Sequence, residues 1–301
     1  MSKHSPIIER RMSIGGRDTR VLEVAGDGPP ILLLHGFTDS ADTWRWVLED
    51  MAVRGRRAVA VDMPGHGQAP PLGRPAIDDL DAFAAAFVRA FADNQRPVLA
   101  GNSLGGAVAL RAAADGTLPL LAVSGICPAG LAHQAPLEKL DKVARAMRVF
   151  HPVIARMPVP RRLLQRSAAS FYHRRLMYGV KDREPAERYA SHIRGMGDLV
   201  RFQKDVVALG ASMRIKPRAG VLDHAYGVPV EQIQVPVLLI WGKHDHLVDV
   251  KGASFILDSV APSRLVTLDD CGHCPQLQRP DRIAEVLTAL PAMPEIAPIQ
   301  G

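Results

Sequence analysis

Six short, almost entirely apolar runs recur along this 301-residue chain, and most are separated by stretches whose apolar residues have helical spacing. Strands that are apolar at nearly every position suit a sheet that is covered on both faces, as a parallel sheet is. Because strands alternate with helices, the pattern predicts an α/β fold with a mostly parallel, doubly wound sheet. The runs span residues 31–34, 58–61, 97–100, 120–123, 235–241 and 265–268.

Helices are predicted between or after these runs, where apolar residues recur on one side of the segment. Near the amino terminus, two short segments flank Gly15-Gly16 and predict an antiparallel pair of strands at residues 11–14 and 20–24. The predicted helices cover residues 42–54, 78–93, 103–114 and 280–290.

The alternation stops between residues 128 and 232, a region that contains no apolar run of comparable strength. Helix-like sequence, several prolines and a basic stretch at 161–166 occupy it instead. We therefore predict a core domain formed by residues 1–127 and 233–301, with residues 128–232 inserted as a helical cap.

Composition excludes several classes of protein. The formal net charge of +6 is mild for this length and does not indicate a nucleic-acid partner. Three cysteines do not suggest a disulfide framework. The amino-terminal residues lack the apolar core of a signal peptide, and no run reaches the roughly 18 apolar residues of a membrane span. A cytoplasmic location is the expectation.

The strongest chemical signal is Gly101-Asn102-Ser103-Leu104-Gly105, which follows an apolar run and precedes an alanine-rich predicted helix. The pattern G-x-S-x-G between a strand and a helix is typical of a nucleophile elbow, a sharp turn that exposes the serine hydroxyl. The alternative is a glycine-rich turn with an incidental serine. The flanking strand and helix favour the elbow, with Ser103 as nucleophile.

A serine hydroxyl needs a base to remove its proton, and the base needs a carboxylate to orient it. His273 follows the last apolar run and is the candidate base. Asp245 follows the preceding run and is the preferred acid, because it lies nearer to the strand end than its competitor Asp249. The N–H groups of Leu104 and Phe37 are the expected oxyanion donors, since one follows the nucleophile and the other follows His35-Gly36.

Other motifs carry less weight. Cys271 and Cys274 form a C-x-x-C pattern, but it lies after the last strand and lacks the strand order of a thioredoxin-like domain. His244 and His246 flank Asp245 without further ligands at a recognisable spacing, so no metal site is predicted. No nucleotide-binding glycine motif occurs.

Taken in order, five blocks of this sequence resemble the α/β-hydrolase superfamily across nearly the whole chain. The resemblance implies an eight-stranded, mostly parallel sheet, a cap inserted after the sixth strand, and catalysis without a cofactor. Within the superfamily, residues 126–131 and 240–250 are similar to monoacylglycerol lipases and related carboxylesterases, which implies hydrolysis of an acyl ester through an acyl-enzyme. The five blocks are residues 35–44, 62–69, 101–106, 240–250 and 270–280.

Two other functions stay open at this point. Hydrolases that cleave carbon–carbon bonds in ring-fission keto-acids have an elbow similar to residues 101–106, but they usually differ from this chain at Phe37-Thr38-Asp39 and at Cys274. A hydrolase fold kept as a non-catalytic binding protein is the third possibility, and a complete Ser-Asp-His set argues against it.

The predicted cap interleaves arginines with apolar residues, which suggests transient contact with an anionic membrane or aggregated lipid. The alternative is a pair of helices with a solvated outer face. The arginines are Arg145, Arg148, Arg156, Arg161, Arg162, Arg166, Arg174 and Arg175.

Overall fold

The computed structural model describes residues 7–37, 39–70, 77–131, 216–218, 221–223 and 228–290. Eight of its ten strands form one sheet, and β7 and β8 form a separate pair. The strands are β1 (Ile8–Ile14), β2 (Arg17–Val24), β3 (Asp27–Leu34), β4 (Arg56–Val61), β5 (Val98–Asn102), β6 (Ala122–Ile126), β7 (Lys216–Arg218), β8 (Val221–Asp223), β9 (Val237–Gly242) and β10 (Ser263–Leu268).

The large sheet has the strand order β1-β2-β4-β3-β5-β6-β9-β10. Strand β2 pairs antiparallel with β1 and β4, and all other neighbours are parallel. The predicted amino-terminal antiparallel pair and the mostly parallel eight-stranded sheet are confirmed. The strand order reverses between β3 and β5, and open α/β sheets bind ligands at the carboxyl edge of such a switch point.

Helices cover both faces of the sheet, as the apolar runs predict. Strand β3 shows why: Leu32 and Leu34 belong to the core on one face, whereas Ile31 and Leu33 belong to the core on the other. Helices α2, α3 and α4 supply the first core, and α1 and α6 supply the second. The helices are α1 (Arg45–Val53), α2 (Ile77–Phe91), α3 (Leu104–Ala114), α4 (Ala253–Leu257), α5 (Pro275–Gln278) and α6 (Pro280–Ala289).

Two local differences separate the sequence prediction from the structure. The run at 120–123 predicts a strand, but β6 begins only at Ala122, because pairing with β5 starts there, opposite Val98. The short helices α4 and α5 lie in segments for which the sequence analysis predicts no element.

Most of the predicted cap, residues 128–232, lies outside the described residues. The eight arginines on which the predicted membrane contact rests lie outside them too. The described part of the cap includes the antiparallel pair β7–β8 and a 3₁₀ turn at Val230–Gln232, neither of which the sequence analysis predicts. The helical character of the insertion and its membrane contact stay predictions. Within the described ranges, no helix has both the length and the apolarity needed to cross a bilayer; the cytoplasmic location also stays a prediction.

Candidate active site

The turn between β5 and α3 has the geometry of a nucleophile elbow. Ser103 lies in the turn with φ of 52° and ψ of −113°, a backbone conformation that side-chain-bearing residues rarely adopt. A Cβ on Gly101 would lie 2.3 Å from the carbonyl carbon of Gly105, and a Cβ on Gly105 would lie 2.4 Å from the oxygen of Leu34. Both glycines of the motif are therefore required by close backbone approach, and the strained backbone at Ser103 favours the elbow over a glycine-rich turn with an incidental serine.

Asp245 and His273 form a buried pair. His273 Nδ1 lies 2.8 Å from Asp245 Oδ2, and the two side chains are 4% and 1% exposed respectively. The other carboxylate oxygen accepts the N–H groups of Leu247 and Val248 at 2.8 and 2.9 Å. Burial raises the pKa of Asp245, but His273 and these N–H groups more than offset it and hold that pKa below its ordinary value. The carboxylate is therefore charged, oriented and in contact with the imidazole.

The competing carboxylate has a different role. Asp249 is exposed and accepts the N–H of Lys251 at 3.0 Å, as the N-cap of a 3₁₀ turn at Val250–Gly252. The geometry thus favours Asp245 as the acid.

Asn102 joins the elbow to the loop that carries His273. Its Nδ2 donates to the carbonyl oxygens of His273 at 3.0 Å and Ile126 at 3.1 Å. Its Oδ1 accepts from Gln276 Nε2 at 3.2 Å, and the same Gln276 nitrogen lies 3.2 Å from Thr43 Oγ1. Because Asn102 immediately precedes Ser103, these buried bonds bring the serine and the histidine to the same edge of the sheet.

The loop after β3 lies against the elbow and is held by His35. A Cβ on Gly36 would lie 3.5 Å from the Cβ of Ser103. His35 Nε2 accepts the N–H of Met63 at 3.0 Å, so its proton is on Nδ1, which lies 2.8 Å from the Gly36 oxygen. Burial and the neighbouring His66 lower the pKa of His35 well below its ordinary value, and the imidazole is neutral.

Both expected oxyanion donors lie beside this contact. Leu104 is the first residue of α3, so its N–H has no acceptor within the helix. Phe37 directly follows Gly36 and is half-buried against the core. Leu104 directly follows Ser103, and Phe37 directly follows the glycine that approaches Ser103; their role as donors stays a prediction.

A buried ion-pair network supports the same loop. The fully buried Asp62 carboxylate accepts the N–H of Ala41 at 2.7 Å and of Gln68 at 2.8 Å, and it pairs with Arg20 at 2.9 Å. Arg20 also pairs with Asp42 at 2.7 Å. Asp62 follows β4 directly, and its bond to Ala41 joins that strand to the segment that follows the loop after β3.

The sequence analysis assigns no role to Asn102, Gln276, His35 or Asp62. The available signal was that all four residues lie within the matching family blocks, which does not reveal which group each side chain contacts.

The cysteines are free and buried. Burial and the nearby Asp270 raise the pKa of Cys271 to about 12, and burial raises the pKa of Cys274 well above its ordinary value. Because the thiolate is the reactive form, this environment disfavours thiol–disulfide exchange at the C-x-x-C pattern. Cys127 lies elsewhere: its Sγ, an Asp245 oxygen and a His273 nitrogen are all within 4.8 Å of one another. The sequence analysis predicts no metal set, and these three residues, which follow separate strands, form no ligand spacing in the sequence.

Comparison with known proteins agrees with this geometry. The model of the alpha/beta hydrolase family matches residues 31–286. Monoacylglycerol lipase ABHD6 of Bos taurus is 26% identical over 293 residues, which cover 87% of this chain and 75% of that protein. The pimeloyl-(acyl-carrier protein) methyl ester esterase of Nitrosomonas europaea is 27% identical over 270 residues, covering 89% of this chain and 98% of the esterase.

Among solved structures, the 2-hydroxy-6-oxo-6-phenylhexa-2,4-dienoate hydrolase of Rhodococcus sp. strain RHA1 has a TM-score of 0.73 at 22% identity, covering 94% of this chain and 98% of that one. This likeness shows the fold. Since the family model spans most of the sequence, the chain belongs to the alpha/beta hydrolase family and is a serine hydrolase.

Proposed function

We propose that this protein hydrolyses carboxylic esters through an acyl-enzyme on Ser103, with His273 as base and Asp245 as its orienting acid. The observation that carries the proposal is the buried Asp245–His273 pair, which is linked to the elbow because Asn102, the residue before Ser103, bonds to the His273 carbonyl. A charged carboxylate on Nδ1 leaves the other ring nitrogen of His273 to accept the serine proton. Contact between that nitrogen and Ser103 Oγ is part of the proposal.

The reaction proceeds in two halves. His273 takes the proton of Ser103 as its oxygen attacks the ester carbonyl, and the N–H groups of Phe37 and Leu104 stabilise the oxyanion. The protonated imidazole then gives its proton to the departing alcohol. Water, deprotonated by the same imidazole, attacks the acyl-enzyme and releases the acid. Asp245 keeps its charge throughout and stabilises the imidazolium.

Two relatives support an ester substrate. One is named a monoacylglycerol lipase and the other a methyl ester esterase, and both align with most of this chain. We propose a monoacylglycerol-type ester as the first substrate to test. A location in the cytoplasm with transient contact to anionic lipid through the cap belongs to the same proposal.

The test is turnover of a p-nitrophenyl acyl ester by Ser103→Ala. We expect a loss of about 10⁴-fold or more, because removal of a triad member leaves only the oxyanion donors and binding. Ser124→Ala is the matched control, since Ser124 is buried in the adjacent strand and its hydroxyl has no hydrogen-bond partner within the described part of the chain. If Ser103→Ala folds and keeps the parent rate, the proposed nucleophile is wrong.

Cleavage of a carbon–carbon bond is the second candidate, because the sequence Gly101–Gly106 is similar to the elbow of ring-fission hydrolases. The same triad would serve, but the keto-acid substrate needs a cation for its carboxylate. Rates on a medium-chain monoacylglycerol and on a ring-fission dienoate, measured side by side, separate the two. A preference for the dienoate would overturn the ester assignment while keeping Ser103.

A further inference from the structure

Cys127 is a buried thiol for which the proposed mechanism has no use. It follows β6, it is 0% exposed, and its backbone is held at φ of 45° by an N–H bond to the Ile240 oxygen at 2.8 Å. Its Sγ lies a long 3.8 Å from the Gly272 oxygen, and it also contacts the Asp245 side chain. The strand end thus fixes the sulfur in one position beside the Asp245–His273 pair.

The three side chains together offer a thiol sulfur, a carboxylate oxygen and an imidazole nitrogen, all mutually within 4.8 Å. Thiolate, imidazole and carboxylate are the ligands that zinc and similar thiophilic ions prefer. Zinc bonds to sulfur at about 2.3 Å and to nitrogen at about 2.0 Å, so tetrahedral ligand atoms lie roughly 3.5 Å apart. The ligand atoms therefore need to approach one another by at most about 1.3 Å to close on one ion.

We propose that Cys127, Asp245 and His273 form an inhibitory binding site for a thiophilic divalent cation such as Zn²⁺ or Cd²⁺. Binding forms an Sγ–metal bond, an Nδ1–metal bond and a carboxylate–metal bond. The protons of Sγ and Nδ1 leave to solvent. One dication then faces two anions, the thiolate and the carboxylate, so the buried site is neutral overall. Mg²⁺ and Ca²⁺, which prefer oxygen ligands, do not bind there.

Metal binding prevents His273 from acting as the base in the proposed reaction. With Nδ1 bonded to metal, His273 no longer donates to Asp245, and the imidazole resists the positive charge that it must take when it accepts the serine proton. The loss of activity rests on the proposed function, but the binding itself does not, and the two are measured separately. Because the site is buried, we expect inhibition to develop slowly after the metal is added.

Binding is measured on the full chain through the ultraviolet charge-transfer band of a Cd²⁺–thiolate bond. We expect the band in the parent protein and in Ser103→Ala, and its loss in Cys127→Ala. Cys271→Ala is the matched control, because Cys271 is also buried and free but lies outside the cluster. Cys274→Ala serves as a second control, since burial alone would make its sulfur an equal candidate.

Activity is measured as the ratio of ester hydrolysis with and without Cd²⁺ or Zn²⁺ for each variant, with recovery by a chelator. We expect Cys127→Ala to raise the inhibitory concentration about 100-fold or more, since even groups outside a ligand set alter metal affinity about 10- to 100-fold. If Cys127→Ala does not fold, Cys127→Ser replaces it.

The outcomes are distinct. A parent protein without the Cd²⁺ band, or a Cys127 variant that keeps the band and the inhibition, overturns the metal site. A band that disappears with Cys127, in a protein that hydrolyses no ester, supports the metal site and refutes the proposed function instead.

Discussion

Among single residues, the proposed chemistry depends most on the charge of Asp245. We expect Asp245→Asn to lower kcat by about 10⁴-fold, because an amide holds the wrong imidazole tautomer and cannot stabilise the imidazolium. Asparagine still offers an oxygen to the N–H groups of Leu247 and Val248, so the loop is expected to keep its shape. The measurement is kcat for an acyl ester, with folding checked by circular dichroism.

Asp249→Asn is the matched control for this variant, because Asp249 is four residues away and caps an exposed turn. Its kcat is expected to stay within about twofold, since surface substitutions of this kind change little. A larger loss in Asp249→Asn than in Asp245→Asn would exchange the roles of the two carboxylates.

Asn102 is a positioning residue in the same reaction. Asn102→Leu has a similar volume but removes the donors to the His273 and Ile126 carbonyls. We expect kcat to fall about 10- to 100-fold, with KM little changed, because displacement of a catalytic group by about 1 Å has an effect of that size. Pre-steady-state acylation rates test this. Asn94→Leu, at an exposed loop residue, is the control, and equal kcat values for the two variants would refute the positioning role.

At the scale of elements, helix α3 is pressed against the end of β3 with no room for a side chain at Gly105. A Cβ there would lie 2.4 Å from the oxygen of Leu34 and 2.5 Å from that of His35. We expect Gly105→Ala to lower the free energy of unfolding by about 3 kcal/mol, because backbone atoms must move apart. Urea denaturation gives the measurement.

Gly116→Ala separates this steric effect from a conformational one. Gly116 follows the same helix, has open space around it and has φ of 48°. The expected cost is about 1 kcal/mol, from the left-handed backbone alone. If the two substitutions cost the same, close packing at Gly105 is not what the motif requires.

The elements also show what the sequence could and could not predict. Continuous apolar runs identify strands such as β3 and β9 because both of their faces are buried, and this property is local to the run. The start of β6 depends on which residues pair with β5 and β9, and no local pattern encodes that. Ser103, Asp245 and His273 could be proposed from the sequence because each lies in the loop or turn that follows a strand run. The role of Gln276 could not be predicted, because it depends on a hydrogen bond to Asn102, which is 174 residues away in the sequence.

For the whole molecule, the buried polar groups behind the site make stability depend on pH. Arg20 and Arg45 hold the pKa of Asp42 below its ordinary value although burial raises it, and His273 does the same for Asp245. A carboxyl with a depressed pKa stabilises the fold above its unfolded pKa and loses that contribution as pH falls. Asp50 and Asp81, whose pKa values are raised by burial, act in the opposite direction. The contributions of these carboxylates to stability therefore oppose one another as the pH falls, and they do not produce a single unfolding transition in acid.

The buried histidines have a simpler effect on the pH dependence of stability, because both of their pKa values shift in the same direction. Burial lowers the pKa of both His35 and His66, so below pH 6.5, the ordinary value, the unfolded chain binds protons that the folded chain does not. Stability is then complete above that pH and falls as the pH decreases toward 5, by up to about 1.4 kcal/mol per pH unit for each histidine.

His35→Gln isolates one of these contributions, since an amide can accept the N–H of Met63 and donate to the Gly36 oxygen without titrating. Urea denaturation at pH 7, 6 and 5 should show a shallower loss of stability in His35→Gln than in the parent, and a shallower one still in the double variant with His66→Gln. A slope in His35→Gln equal to that of the parent would mean that His35 takes up its proton in the folded protein. The imidazole would then carry charge in the folded protein, and the neutral ring that donates to the Gly36 oxygen in this structure would have to be reassigned.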